Sequence, residues 1–450
     1  IMKLTFKTLL VIFFTFYAVN TFSQIKNEQI DSIINNTVKT DGPGAIVFIK
    51  QKGKVLYEKA FGKANIENNV DMSANNAFNI GSVSKEFTAM SVLQLLEKGK
   101  LSLEDNVNSY LPNYSKNGDK IKIKHLLSHT SGLKSHTDTI WANTDARKYF
   151  DSSKDALNYF KKDTVQFEAG EKHDYCNVNF NLLAYIIEKA SGMEYADYVK
   201  ENIFKPLEMT NSYIPDEGQL IPNLATGYEL KNNEIVYARY HSFNQTRGSS
   251  SIHTTVEDLS KWYEGLMNSK IISRENLIKA WTPFTLNSGE KSTYGYGFYS
   301  DRKFNKTSIF HNGFIFGYST SDMYFPEDDL LIFVVSNISD INVINTNTII
   351  FDIASRIYKS EVPELTTDLL DSYLGTYIMK QGFKAEVSRE GMQLLIAVDG
   401  GKADKLFPET KTLFMVKDFP AKAEFIPSTN GGEMGIVLSM GPDRFEGIKE

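Results

Sequence analysis

The chain has 450 residues, of which 42% are hydrophobic and 23% are charged, so it contains ample apolar material for a folded core and is not a disordered chain. Its 49 Lys and Arg residues against 55 Asp and Glu residues give a net charge of −6, and no long basic run occurs. This charge balance argues against a nucleic-acid partner and favours a small-molecule or peptide substrate.

The first residues have the pattern of a secretory signal peptide. Lys3 and Lys7 precede an apolar stretch over residues 9–19, and a short region with small residues ends at Ser23, after which we predict cleavage. The apolar stretch is shorter than the about 20 residues of a membrane-spanning helix, so no stable membrane anchor is expected after cleavage. Cys176 is the only cysteine in the sequence, so no intramolecular disulfide can form. We therefore expect a periplasmic or secreted protein.

The following segments predict a hairpin and then several helices. Residues 45–50 and 55–60 flank a turn that contains Gly53, a pattern typical of two paired strands. Apolar residues at helical spacing predict helices over residues 82–97, 179–190 and 257–267. Gly99 follows the first of these helices at the position expected for a C-terminal cap.

After about residue 290 the pattern changes to strands. Aromatic and β-branched residues predict strands over residues 294–299, 308–311, 319–325 and 330–336, and a helix over residues 345–358. Beyond Pro363 further strands are predicted over residues 373–379, 392–398, 412–416 and 434–440. A domain boundary near residues 360–368 would separate a main domain at 24–362 from a small β-rich domain at 363–450, and the predicted signal peptide at 1–23 precedes both.

Several common catalytic signatures are missing from the sequence. There is no P-loop, no dinucleotide-binding glycine fingerprint and no G-x-S-x-G nucleophile elbow. His125 and His129 have the helical spacing of two zinc ligands, but the glutamate that a zinc protease carries between them is absent. We expect no metal and no cofactor.

A serine and a lysine at the start of the first predicted helix form the strongest candidate site. Ser82 lies three residues before Lys85, and three residues turn an α-helix by about 300°, so both side chains project from nearly the same face. A lysine in this position can accept the serine proton if burial or a neighbouring cation lowers its pKa from about 10.4. The spacing alone is weak, because Ser131 and other serines also precede a lysine by three residues.

Two further motifs strengthen the candidate. Tyr175 and Asn177 form a Tyr-x-Asn motif directly before the second predicted helix, and His311 and Gly313 form a basic-x-Gly motif at the end of a predicted strand. The glycine would let a substrate approach the backbone closely. Ser-x-x-Lys, Tyr-x-Asn and basic-x-Gly in this order are the signature of penicillin-recognising serine hydrolases.

The surrounding sequence resembles the class C β-lactamase and related serine hydrolase superfamily, which includes penicillin-binding proteins, D-stereospecific peptidases, amidases and esterases. The resemblance covers about residues 28–355 and includes the segments at 78–85, 126–133, 205–209, 255–259 and 313–318. It implies a mixed α/β fold in which an antiparallel sheet is flanked by helices, with a helical lobe and the active site between them. Residues 365–450 resemble, more loosely, the small β domain appended to many such hydrolases.

The resemblance also implies the roles of the site residues. Ser82 would be the nucleophile, Lys85 and Tyr175 would share proton transfer, and Asn177 would position the amide group of the substrate. The backbone N–H groups of Ser82 and Phe314 would hold the oxyanion next to Gly313. His311 stands where true β-lactamases usually carry lysine, so we expect weaker selection for anionic β-lactams.

Two departures from the family pattern concern substrate fit, because neither touches a catalytic group. Ala169 replaces the proline often found before Gly170, and three serines follow Gly248 where the family is often glycine-rich. We predict a serine hydrolase that acts through an acyl-enzyme on an ester, amide or D-peptide bond, with weak β-lactamase activity as a further option. The alternatives are a non-catalytic penicillin-binding or sensing module and a structural or filament-forming protein on the same fold.

Overall fold

The computed structural model describes residues 26–115, 117–134, 152–160, 165–239, 241–358, 364–416, 421–427, 433–440 and 443–450. The predicted signal peptide and its cleavage site lie outside these ranges, as do residues 359–363 of the predicted domain boundary. No helix within the described ranges is both long enough and apolar enough to cross a membrane.

Helices in the described part of the chain flank a central sheet, and one further helix directly precedes a small C-terminal barrel. They are α1 (Asn27–Asn35), α2 (Ser84–Glu97), α3 (Ile123–Leu127), α4 (Ser153–Phe160), α5 (Asn177–Ser191), α6 (Tyr195–Val199), α7 (Val256–Met267), α8 (Arg274–Trp281), α9 (Thr346–Ile357) and α10 (Thr367–Tyr373). The predicted helices over 82–97, 179–190, 257–267 and 345–358 are thus confirmed with small changes at their ends. Gly99 has a φ of +63° just beyond α2, as its predicted capping role requires.

The central sheet of the described residues is antiparallel and has the strand order β2-β1-β12-β11-β10-β9. Its strands are β1 (Ala45–Gln51), β2 (Lys54–Phe61), β9 (Tyr299–Lys303), β10 (Lys306–Ile315), β11 (Tyr318–Phe325) and β12 (Leu330–Ser336). Short two-stranded pairs flank it, formed by β3 (Lys63–Asn65) with β4 (Val70–Asp71), β5 (Phe78–Asn79) with β8 (His253–Thr254), and β6 (Tyr228–Lys231) with β7 (Glu234–Tyr237). The early hairpin and the late strands therefore share one sheet.

Helices cover both faces of this sheet because its central strands are apolar on both sides. Every residue of β12 is buried, which is the pattern of a strand covered on both faces. One core contains α1 and α9, and the other contains α2, α5 and α7. In the second core Phe87 of α2 stacks on Trp262 of α7 with ring centroids 3.9 Å apart. The mixed α/β fold with an antiparallel sheet between helices is confirmed.

The prediction of a strand over residues 294–299 is wrong. The segment is not a strand, because only Tyr299 at its end enters β9. The glycines explain the difference. A Cβ atom on Gly295 would lie 2.0 Å from the carbonyl oxygen of Ala280, and Gly297 has a φ of +82°. The segment packs as a loop against the helices, and its aromatic side chains are turned into the core.

The C-terminal region forms a closed barrel of eight consecutive antiparallel strands in the described residues, which confirms a small β domain. The strands are β13 (Gly375–Met379), β14 (Lys384–Glu390), β15 (Gln393–Val398), β16 (Asp404–Pro408), β17 (Leu413–Val416), β18 (Ala421–Ile426), β19 (Gly435–Met440) and β20 (Asp443–Lys449). The predicted strand over 373–379 begins two residues later, because Tyr373 ends α10. Closure leaves no unpaired sheet edge.

The barrel contacts the main domain at strand β9 and helix α9. Lys422 of β18 donates to Asp301 of β9 over 2.8 Å and also lies 3.5 Å from Glu409. Phe407 of β16 packs edge-on against Phe351 of α9, with centroids 4.9 Å apart. Strand β9 therefore links the barrel to the part of the sheet that carries His311.

Candidate active site

Ser82 lies in a single 3-10 turn, Gly81–Val83, that leads directly into α2. Its two neighbours in this turn are buried, whereas Ser82 is partly exposed, so its hydroxyl is accessible at the start of a buried helix. Gly81 has a φ of +54°, which a residue with a side chain adopts only with strain. The backbone thus forms a sharp turn that presents the serine at the helix N-terminus.

Lys85 lies beneath the serine and is fully buried. Its Nζ is 2.9 Å from Ser82 Oγ, 2.7 Å from Asn177 Oδ1 and 2.9 Å from the carbonyl oxygen of Ser249. Burial holds the pKa of the Lys85 amine well below its ordinary value. A neutral amine has two hydrogens and one lone pair, so the two carbonyl oxygens take the hydrogens and the lone pair faces the serine hydroxyl.

Tyr175 and Asn177 are placed by the beginning of α5. Cys176 precedes the helix, and its backbone N–H donates to His129 Nδ1 over 3.1 Å, which ties this segment to the loop after α3. The Tyr175 hydroxyl is hydrogen-bonded to Ser82, and Lys85 Nζ lies 4.9 Å from the centre of its ring. Burial raises the pKa of Tyr175 well above its ordinary value, so this residue is a neutral phenol.

Strand β10 packs directly against the nucleophile turn. A Cβ atom added to Gly81 would lie 2.6 Å from the backbone nitrogen of Phe314, and one added to Gly313 would lie 3.3 Å from that of Ser82. Each glycine therefore packs against one of the two predicted oxyanion-binding nitrogens, and a side chain at either glycine would crowd this contact between the turn and β10. The Phe314 side chain is 44% exposed and forms part of the rim of the site.

His311 is buried below this contact and is uncharged. Its Nδ1 lies 2.8 Å from the carbonyl oxygen of Asn312, so Nδ1 carries the hydrogen, and its Nε2 accepts from the Tyr294 hydroxyl at 2.9 Å. Burial and the nearby Lys85 lower the pKa of His311 to about 3. Both ring nitrogens are thus engaged by the protein itself.

The titratable groups around the serine are all neutral near pH 7. In addition to Lys85, Tyr175 and His311, burial lowers the pKa of His173 to about 4 and that of His129 well below its ordinary value. The site consequently presents hydrogen-bonding groups and aromatic rings to a substrate, and these five groups offer it no formal charge.

All seven predicted site residues lie around Ser82, although three of the groups that complete the site were not predicted. These are the Ser249 carbonyl, Tyr294 and Gly81. The prediction that the serine run after Gly248 touches no catalytic group is wrong, because the Ser249 carbonyl oxygen lies 2.9 Å from Lys85 Nζ. Tyr294 lies in the segment that the sequence predicts as a strand and that the structure folds as a loop. Gly81 had a usable signal, since a glycine immediately before a helical nucleophile is typical of a strained turn. In the part of the chain that the structure describes, no cluster of three or more His, Cys, Asp or Glu residues could hold a metal ion.

Comparisons with known proteins agree with this geometry. Residues 30–353 match the Beta-lactamase family. The chain is 27% identical over 445 residues to penicillin-binding protein 4* of Bacillus subtilis (strain 168), a match that covers 93% of this chain and 98% of that protein.

Two solved structures have the same fold. The octameric penicillin-binding protein homologue from Pyrococcus abyssi superposes with a TM-score of 0.62 at 24% identity, over 93% of this chain and 97% of that chain. A D-stereospecific amidohydrolase from Streptomyces sp. superposes with a TM-score of 0.62 at 21% identity, over 70% of this chain and 95% of that chain.

The chain belongs to the Beta-lactamase family, because the family match covers well over half of its length. This membership supports a serine hydrolase-like activity, and the resemblance to penicillin-binding and β-lactamase-related proteins predicted from the three motifs is confirmed.

Proposed function

We propose that this protein is a serine hydrolase that forms an acyl-enzyme on Ser82 and cleaves an ester or amide bond, including bonds next to a D-amino acid, in an uncharged part of its substrate. The observation that carries the proposal is the position of the Ser82 hydroxyl between a buried amine, 2.9 Å away, and the phenol of Tyr175. A silent binding module would not need this arrangement of proton acceptor and donor.

The reaction begins with attack of Ser82 Oγ on the substrate carbonyl carbon. The hydroxyl proton passes to the lone pair of Lys85 Nζ, and the carbonyl electrons move onto the oxygen, which the N–H groups of Ser82 and Phe314 bind. Such oxyanion donors are each worth about 3 kcal/mol of barrier. Lys85 rather than Tyr175 is the base, because burial keeps both groups neutral and only a neutral amine has a basic lone pair.

Collapse of the intermediate breaks the bond to the leaving group. Tyr175 donates its phenol hydrogen to the leaving oxygen or nitrogen and takes up the proton held by Lys85, and the acyl group remains on Ser82. A water molecule then attacks the acyl-enzyme, with Lys85 and Tyr175 taking up its proton and returning one to Ser82. Asn177 is anchored to Lys85 and is placed to orient the acyl amide of the substrate.

The choice of an uncharged substrate follows from the electrostatics. A permanent cation at the third motif would attract a carboxylate, but His311 is neutral and both of its ring nitrogens are engaged. The carboxylate of a β-lactam needs such a cation. β-Lactams should therefore acylate Ser82 slowly, and the resulting acyl-enzyme should be hydrolysed slowly. The exposed ring of Phe314 favours an apolar or aromatic group next to the cleaved bond.

Mass spectrometry tests acylation directly. After incubation with a fluorophosphonate or a fluorescent penicillin, one adduct is expected on the peptide that contains Ser82, and none in Ser82→Ala. Ser131→Ala is the matched control, because Ser131 also precedes a lysine by three residues but donates to Asn179 over 2.7 Å in a buried loop. An adduct on Ser131 in the wild-type protein would contradict the assignment.

A substrate panel tests the bond type. We expect kcat/KM for short-chain p-nitrophenyl esters and D-amino-acid amides to exceed that for nitrocefin, with a ratio that stays constant from pH 5 to 9 because His311 does not titrate in that range. Nitrocefin hydrolysis near about 10⁶ M⁻¹s⁻¹ would contradict the preference. Labelling without turnover of any substrate would favour the penicillin-binding alternative, and no labelling at all would favour a structural role.

We further propose that the protein acts outside the cytoplasm after removal of residues 1–23. The support is the charged and apolar pattern of the first residues and the single, buried cysteine. The N-terminal sequence and mass of protein isolated from the periplasm or medium test this, and a mature chain that begins before residue 24 would contradict it.

A further inference from the structure

A pair of buried carboxyl groups, neither of which is one of the proposed catalytic groups, lies between helix α2 and strand β11. Glu86 follows Lys85 on α2 and is completely buried, and Asp322 on β11 is 1% exposed. The two carboxyl groups face each other, and among the described residues no other group donates a hydrogen to the buried Asp322 Oδ2. Two ionised carboxylates share no hydrogen, so this contact requires one proton on the pair.

The surroundings show which groups satisfy the pair. Trp262 Nε1 donates to Glu86 Oε2 over 2.8 Å, and the Tyr263 hydroxyl lies 3.3 Å from Glu86 Oε1 and faces Asp322 as well. Asp322 Oδ1 accepts the backbone N–H of His311 over 2.5 Å. A protonated Glu86 that donates to an ionised Asp322 satisfies this arrangement, because Asp322 then keeps its acceptor for His311.

The pair therefore connects the two elements that build the active site. Glu86 belongs to the helix that carries Ser82 and Lys85, and Asp322 holds the backbone of β10 two residues before Gly313. The other titratable groups facing the pair are Tyr263 from α7 and Tyr294 from the loop before β9, and burial raises the pKa of both phenols. Lys85 turns its amine to Ser82 instead.

We propose that Glu86 and Asp322 share one proton and act as positioning residues, a clamp that holds the oxyanion-binding end of β10 against the nucleophile turn and releases it when the pair loses that proton. Burial and mutual repulsion raise the pKa of Glu86 well above its ordinary value, so the clamp is closed at neutral pH. Above neutral pH, loss of the proton places two repelling charges in the core. Activity should then fall as pH rises, independently of Lys85, which is already neutral.

Three variants test the clamp. Glu86→Gln keeps a hydrogen-bond donor toward Asp322 but cannot ionise, so kcat at pH 7 should stay within about threefold of wild type and the loss at alkaline pH should disappear. Glu86→Leu removes the donor and should lower kcat by about 100-fold, the cost of a misplacement of about 1 Å. Glu188→Gln is the matched control, because burial also raises the pKa of Glu188, to about 7, and it should leave the pH profile unchanged.

Infrared spectroscopy provides a readout that does not rest on the proposed hydrolase function. At pH 8 a protonated carboxylic acid band is expected in the wild-type protein and in Glu188→Gln, and it should be missing in Glu86→Gln. Glu86→Leu, if it fails to fold, loses its circular dichroism signal, and the band and the Glu86→Gln pH profile still decide. The absence of the band, or an alkaline activity loss that is identical in Glu86→Gln, would overturn the proposal.

Discussion

Gly313 packs so tightly against the nucleophile turn that a Cβ atom added to it would lie 2.0 Å from the carbonyl oxygen of Ile80. That contact sets the distance between β10 and Ser82, and hence the geometry of the oxyanion-binding N–H groups. The relationship is one of backbone against backbone, so no rotamer change can relieve a clash there.

Gly313→Ala should therefore damage catalysis more than stability. We expect kcat for an ester substrate to fall by at least about 100-fold, the usual effect of losing one oxyanion donor. Gly99→Ala is the control. Unlike Gly313, Gly99 has a positive φ, of +63°, and no atom lies within 4 Å of an added Cβ, so the variant should cost about 1 kcal/mol of unfolding free energy and leave kcat unchanged. Equal kcat in the wild type and Gly313→Ala would remove β10 from the oxyanion site.

Proton transfer through Lys85 and Tyr175 gives a second prediction. Lys85→Arg replaces the neutral amine with a permanently protonated guanidinium that cannot accept a proton, and Tyr175→Phe removes the hydroxyl bonded to Ser82. Each should lower kcat by at least about 100-fold with a smaller change in KM. Steady-state kinetics over a pH range measure both. Tyr175→Phe with unchanged turnover would leave Lys85 as the sole proton carrier.

Acid sensitivity follows from the buried histidines. Burial lowers the pKa of His125, His173 and His241 to about 4 and that of His253 and His311 to about 3. The unfolded chain binds these protons near pH 6.5, whereas the native protein binds them only below about pH 4, so the free energy of unfolding should fall as pH drops from about 6.5. Urea unfolding at pH 7 and pH 5 measures this loss. His253→Gln should reduce it, and a stability that is equal at both pH values would contradict the assignment.

Removal of the barrel is a fourth test. A chain that ends at residue 362 should fold and retain labelling of Ser82, because every catalytic motif precedes that point. It should also be less stable, since Asp301 loses the ammonium of Lys422 that lies 2.8 Å away. Thermal unfolding and mass spectrometry report the two effects. An insoluble or unlabelled fragment would show instead that both parts form one cooperative unit.

The local sequence was sufficient to predict most helices, many strands and the three motifs. It was not sufficient to predict the contacts between distant segments. The helix at Ser84–Glu97 and the strand at Leu330–Ser336 follow from their apolar patterns, and the order of the three motifs placed Ser82, Tyr175 and His311 in one site. The strands at Lys384–Glu390 and Asp443–Lys449 were missed because each contains four charged residues, which lower its apolar content.

The missed parts of the site share a physical cause. The Ser249 carbonyl is a backbone atom, and Asp322 reaches Glu86 across more than 230 positions, so neither contact has a local pattern. Of these residues only Glu86 can be noticed in the sequence, because it is an acidic residue within the apolar run of a predicted buried helix. A buried acid of this kind indicates a partner, but the sequence does not say which one.

The pairing of β1 with β12 also determines how the chain must fold during its synthesis. Ala45 pairs with Ser336, almost three hundred positions later, so the first strand has an open edge until most of the chain has emerged. Contacts of such long range make folding slow and expose strand edges to other molecules in the meantime. Most strands of the barrel pair instead with their immediate successors, and the last, β20, returns to β13 within about 75 residues. The C-terminal part can consequently fold as soon as it is complete, so the catalytic part sets the time during which the newly made protein needs protection from aggregation.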